Sequence, residues 1–146
     1  MKLLAVLVVL AFAMIVLGVR FAPSDPARWH VDPTRVADRN RRNSVLMGPG
    51  GDAPALHVAL TPEMAAARLD AIILATPRTT RLAGQGDFVT YITRSAIMGF
   101  PDFTSVRVTP AAGGADIAIF ARSRFGRSDF GVNSARVGAW IAQLRR

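Results

Sequence analysis

Between Arg122 and Trp140 the chain reads RSRFGRSDFGVNSARVGAW. Arg122, Arg124 and Arg127 lead into a Ser128–Asp129 pair, and Asn133 and Arg136 follow at helical spacing. The guanidinium group is a planar fork of donors matched to carboxylate and phosphate oxygens. With Arg94 added from an earlier strand-like run, two chemistries suit this set. In the first, an Arg–Asp–Asn cluster clamps a helix to a sheet. In the second, the arginines and a helix N-terminus leave donors free to hold a phosphate or carboxylate. The spacing is neither G-x-x-x-x-G-K-[ST] nor G-x-G-x-x-G, so no nucleotide site is read from it. Hydrolytic chemistry through Ser128, His57 and Asp129 would ask adjacent Ser and Asp residues to serve one imidazole, and no catalytic residue is assigned. His30 and His57 are the two histidines, and ten scattered acids lack ligand spacing, so neither a metal nor another cofactor is expected.

The elements that would position this stretch follow from periodicity. Ser128 or Asp129 can N-cap a final helix, an interaction worth about 1 kcal/mol, and Gly126 and Gly131 allow a tight turn before it. Val137, Trp140, Ile141 and Leu144 fall at i, i+3, i+4 and i+7 and define its buried face. Asp129, Asn133 and Val137, four residues apart, would form one stripe facing the sheet near its edge. Upstream, ALHVAL (Ala55 to Leu60) predicts a short strand. Thr61 as N-cap, Pro62 at the first helical position and Glu63 in the first turn predict a helix over Pro62 to Ala75, buried through Ala65, Leu69, Ile72 and Ile73. Then the period becomes two, in RTTRLAGQ, DFVTYITR, TSVRVTP and ADIAIFARS. Val106 and Val108 share one face, as do Ile117, Ile119 and Ala121. The expected fold class is α+β: a small two-layer domain over residues 55–146, with a mainly antiparallel sheet of 4–5 strands and two helices on one face.

The amino-terminal part is different. LLAVLVVLAFAMIVLGV, Leu3 to Val19, carries no charge and is bracketed by Lys2 and Arg20. As a helix it spans roughly 25 Å, the short end of what crosses a bilayer. Residues 1–21 are therefore a membrane anchor or a signal peptide. The run is longer than a usual signal core and VLG at Val16 to Gly18 is a poor cleavage site, which favours an uncleaved anchor. Residues 22–54, rich in Pro, Asp, Arg and Gly, are expected as an extended tether, with Trp29, Val31, Val45 and Leu46 as candidate docking residues. The net charge is +8, Lys2 is the only lysine, and the densest arginine group is Arg39, Arg41 and Arg42. There is no cysteine, which excludes disulfides, thiolate chemistry and a cysteine-linked lipid anchor.

SRFGRSDFGVNSARV, Ser123 to Val137, resembles the S-R-x-G-x-S-D-x-G-V-N-x-x-R-V signature of the uncharacterised DUF1499 family. TRSAIMGFPDFTSVRV is similar to the family's R-S-x-x-x-x-F-x-D-D-V-E-x-R segment, keeping Arg94, Ser95, Phe100, Asp102 and Arg107. Phe103, Thr104 and Ser105 stand where the family has Asp, Val and Glu, and NSVLM (Asn43 to Met47) lacks the cysteine of its Asn-Cys-Val-Ser-Ser segment. The likeness covers roughly Ala66 to Leu144 and implies an envelope-associated α+β domain without implying a reaction. The resulting expectation is a single-pass inner-membrane protein with a periplasmic domain in a non-enzymatic binding or assembly role. Arg20, Arg28, Arg35 and Arg39 would favour a cytoplasmic domain by the positive-inside rule, whereas the signal-like start argues for export. Its expected partners are the membrane, through the N-terminal helix, and a protein or an anionic small molecule or lipid headgroup at the arginine cluster. Nucleic acid is not an expected partner, because the strands lack basic–aromatic interleaving.

Overall fold

A computed structural model describes residues 1–37, 39 and 42–146. Helix α1, Lys2–Arg20, has no buried residue and is long and apolar enough to cross a membrane. A short helix α2, Pro26–Trp29, and a 3-10 turn, Pro33–Arg35, follow. Each starts on an Asp-Pro pair. Asp25 accepts a hydrogen bond from the Ala27 amide at 2.9 Å, and Asp32 accepts one from the Thr34 amide at 2.9 Å. Proline suits the first helical position because its missing N–H would have no partner there.

The remaining elements are β1 (Ser44–Met47), β2 (Leu56–Val58), α3 (Pro62–Leu74), β3 (Thr79–Gln85), β4 (Phe88–Arg94), β5 (Pro101–Ala111), β6 (Gly114–Ser123) and α4 (Val132–Leu144). The sheet is antiparallel in every strand pairing and runs β1-β6-β5-β4-β3, with β2 also pairing β6. The five expected strands are thus joined by a sixth, β1, drawn from the stretch expected to be tether.

Alternation assigns the two faces. Val89, Tyr91, Val106, Val108, Ile117 and Ile119 meet Ala65, Leu69 and Ile73 of α3 and Val137, Trp140 and Leu144 of α4. Polar ties fix the helices at their margins. Trp140 Nε1 donates to Thr76 Oγ1 at 2.7 Å. Asp70 accepts from Arg81 Nε and from the Tyr91 hydroxyl, each at 2.8 Å. The bonds from Arg81 hold the Asp70 carboxyl below its ordinary range against the opposing effect of burial.

The opposite face of the sheet is apolar too. On β5, Phe103 and Ser105 are as buried as Thr104 and Val106. Residues 22–37 form a strap across it. Trp29 stacks on Phe103 with ring centroids 3.9 Å apart and joins Ile92 and Leu82 in a second core. His30 stacks on Phe88 at 3.8 Å and shares a 2.8 Å hydrogen bond with Thr90. Asp32 pairs with Arg107 at 3.1 Å. Among the described residues of 22–54, the expected extended tether is therefore replaced by packed structure, because a sheet buried on both faces needs a second cover. Trp29 and Leu46, two of the four candidate docking residues, are buried.

Trp29→Ala is expected to lower stability by about 3–5 kcal/mol, the usual cost of emptying a core aromatic site. The measurement is the denaturant midpoint of the full chain, which a free tether would leave unchanged.

Candidate functional site

The family-like stretch joins the end of β6 to α4, and its polar residues divide into two groups. Asp102, at the start of β5, faces the helices. It accepts from Ser123 Oγ at 2.6 Å and from Arg136 Nη2 at 2.9 Å. Arg136 Nη1 also donates to Asn133 Oδ1 at 3.1 Å, and Asn133 Nδ2 donates to Ser123 Oγ at 3.1 Å. Asn133 is completely buried, and each end of its amide is engaged. The result is a closed ring, Asp102–Ser123–Asn133–Arg136, that fastens the first turn of α4 to β5 and β6. A closed polar network of this kind is stable because no buried donor or acceptor is left without a partner.

The cap differs from expectation. The N-cap residue is Gly131, in the left-handed region at φ 80°, and it offers no side chain. Asp129 works from two residues further back. Its Oδ1 accepts from the Gly131 amide at 3.1 Å and its Oδ2 from the Asn133 amide at 3.0 Å. Ser128 Oγ accepts from the Phe130 amide at 3.2 Å. Burial alone would raise the Asp129 carboxyl, but the amide donors of Asn133 and Gly131 outweigh it and hold it below its ordinary 3.8. This turn places Phe130 at φ 53°, where a non-glycine residue is strained by about 1–3 kcal/mol. The stripe expected through Asp129, Asn133 and Val137 holds for Asn133 and Val137 only, since Asp129 lies outside the helix.

The other arginines do not serve Asp129 or Asn133, contrary to the clamp expected of Arg94, Arg122 and Arg124. Arg94 donates to the Gly99 carbonyl at 3.0 Å. Arg124 donates to the Pro23 carbonyl at 2.7 Å. Arg127 is exposed. Arg122 points to the strap side, where Nη2 donates to the Trp29 carbonyl at 2.9 Å and the guanidinium lies over the rings of Phe120 and Trp29, 4.5 and 5.1 Å from their centroids. Arg136 is the arginine that closes the clamp. His57 pairs with Asp116 near the start of β6, at 2.8 Å, whereas Ser128 follows the strand's other end, so the structure does not bring Ser128, His57 and Asp129 together.

Arg122 belongs instead to a cleft of about 480 Å³ between the strap and β6, lined by Trp29, Phe120 and the side chains of Arg28, Arg35 and Arg39. Arg39 is neutralised by Asp52 at 2.6 Å. Arg28, Arg35 and Arg122 have no carboxylate partner among the described residues. Arg122 Nη1 is buried and has no hydrogen-bond partner. Burial pushes the Arg122 guanidinium down to about 10, which leaves it cationic at neutral pH. Arg28 and Arg35 figured in the sequence only as signals of membrane orientation, not as site residues. The signal was present in the Asp25-Pro26 and Asp32-Pro33 pairs, each the start of a helical turn rather than of extended chain. Of the dense group Arg39, Arg41 and Arg42, Arg41 lies outside the described residues.

A family described as "Protein of unknown function (DUF1499)" matches residues 27–144. The match includes Trp29 and most of the strap as well as the clamp. No curated protein and no solved structure matches the chain.

Asn133→Ala is expected to cost about 1–3 kcal/mol, because it strands the buried partners on Ser123 and Arg136. Asp129→Asn should cost about 1 kcal/mol near pH 7. A carboxyl depressed in the folded state contributes stability above its unfolded pKa and loses it as pH falls through the folded value. The Asp129→Asn penalty should therefore shrink below pH 4, and unfolding curves of both proteins from pH 2 to 7 will show whether the difference closes.

Proposed function

The chain belongs to the DUF1499 family, and we propose that it is a membrane-anchored, non-enzymatic binding protein that holds a small oxyanion at Arg122. The gathering of Arg28, Arg35 and Arg122 in one cleft without carboxylate partners among the described residues carries this proposal. Guanidinium groups are forked, charged donors matched to the oxygens of phosphate or carboxylate. The cleft suits such a group. Arg28 and Arg35 border it without carboxylate partners, and no acidic side chain lines it among the described residues. Trp29 and Phe120 exclude water from one side of the guanidinium, which strengthens its attraction for an anion.

The anchor is α1, which is long and apolar enough to cross a membrane. In this proposal it crosses the inner membrane once and holds the domain in the periplasm. A binding role, rather than turnover, is supported by the separation of Ser128 from His57 and by the engagement of Asp102, Asn133 and Asp129 in holding α4. The anion site differs from the cluster of Arg94, Arg122, Arg124 and Arg127 expected from the sequence. It keeps Arg122 and takes Arg28 and Arg35 from the strap.

Calorimetric titration of the detergent-solubilised full chain with inorganic phosphate and with acetate tests the site. One or both should bind, and the double variant Arg28→Gln/Arg35→Gln should bind roughly tenfold more weakly, a loss of about 1.4 kcal/mol, with an unchanged unfolding midpoint because both side chains are exposed. Affinity that is the same in the double variant and in Arg122→Gln, or no heat of binding with either anion, would contradict the proposal.

A further inference from the structure

The apolar surface of the domain is concentrated at one end. Outside Met1, α1 and Phe21, the large exposed apolar side chains among the described residues are Met64, Ile97, Phe100, Phe125, Phe130 and Val132. All but Met64 lie in the loop between β4 and β5 or in the segment from β6 into the start of α4. Ile97 is 86% exposed and Phe130 is 94% exposed. The two loops touch through the rings of Phe100 and Phe125, whose centroids are 5.9 Å apart. The turns at the other end of the sheet, Gly86–Asp87 and Ala112–Gly113, carry no such side chain.

That same end meets the exit of α1. Arg124 Nη1 donates to the carbonyl of Pro23, three residues beyond the helix. A side-chain carbon placed on Gly99 would lie 3.3 Å from Arg20 Cγ. Arg20, Arg124 and Arg127 therefore accompany the aromatic rings at this end. Rings and arginines together are the composition of a membrane–water interface, where rings enter the headgroup region and guanidinium groups meet lipid phosphates.

Phe130 sharpens the point. Its backbone is left-handed, at φ 53°, a conformation that glycine adopts freely. Ser128 and Asp129, just before it, hold the turn by accepting from the Phe130 and Gly131 amides, and the closed ring beneath it fixes α4. A strained residue with its ring wholly in water is disfavoured twice over, and moving the ring into lipid removes the second penalty.

We propose that residues 95–100 and 124–132 dock on the surface of the bilayer that α1 enters, with Ile97, Phe125 and Phe130 inserted at the headgroup level. The occupant of this apolar surface is the lipid itself, because the surface is continuous with the end of an apolar helix of membrane-spanning length. The docking rests on α1 spanning the bilayer and is independent of the Arg122 cleft.

The chain has no cysteine, so single cysteines report one site at a time. Full chains carrying Phe130→Cys, Ile97→Cys, Ala112→Cys or Leu10→Cys, each labelled with an environment-sensitive fluorophore, would be placed in nanodiscs containing lipid-borne quenchers. Labels at Phe130 and Ile97 should lose most of their emission and the label at Ala112 should keep it. Quenching at Leu10 without quenching above the Ala112 level at Phe130 and Ile97 overturns the docking alone. An unquenched Leu10 label overturns the span and the docking with it. Unlabelled Phe130→Ser, which leaves the clamp residues in place, should retain the wild-type unfolding midpoint in detergent but lower it in nanodiscs relative to wild type. Equal midpoints in nanodiscs would also overturn the docking.

Discussion

The sheet of this protein has two apolar faces, and the second must be covered by the stretch that leaves α1. Helices α3 and α4 occupy the first face. On the other, Phe103, Ile92 and Ala118 would lie open to water without the strap that carries Trp29. Apolar area left exposed on this scale weakens a small domain, because burial is its dominant favourable contribution. The cover is held by mixed chemistry: ring stacking at Trp29 and His30, the Asp32–Arg107 pair, and the hydrogen bond from Arg122 to the Trp29 carbonyl.

The position of this cover sets the remaining geometry. Trp29 stands nine residues after Arg20, so the strap cannot reach the sheet without drawing the domain close to the end of α1. Closing the strap also creates the cleft, since its wall is Trp29 on one side and Phe120 with Arg122 on the other. The Asp102–Ser123–Asn133–Arg136 ring has a separate task. It fixes the approach to α4, and with it the turn that presents Phe130. The conspicuous polar motif is thus mainly a structural fastening, and the groups left unsatisfied lie on either side of it.

Much of the helical and strand order was legible from local signals. Thr61-Pro62-Glu63 marked the start of α3, which ends at Leu74, one residue before the expected limit, and period-two runs marked β3 to β6. The helical spacing of Val137, Trp140 and Leu144 located the buried face of α4. The strap was harder to read because its helical turns are too short to show periodicity. Three prolines suggested extended chain, although Asp25-Pro26 and Asp32-Pro33 each start a turn. Strand β1 was equally hidden, being four residues long and paired along its length with a strand more than seventy residues away, Val45 opposite Ala121 of β6. The site was legible in part. Asn133 does need buried partners, but which arginine supplies them depends on strand facing: Arg122 points away from α4, and Arg136 lies one helical turn from Asn133. The orphaned nitrogen of Arg122 arises from the strap's packing, so no spacing within the chain could reveal it.

The central claim is that the strap, closed on the sheet, holds the domain against the end of α1. The most direct measurement is the distance distribution between spin labels at Phe21→Cys and Ile97→Cys in the full chain, recorded in lipid nanodiscs by pulsed dipolar spectroscopy. The account predicts one narrow distribution at short separation, broadened when Trp29→Ala is added. A broad distribution in the chain that retains Trp29, extending to the reach of a free linker, would contradict it.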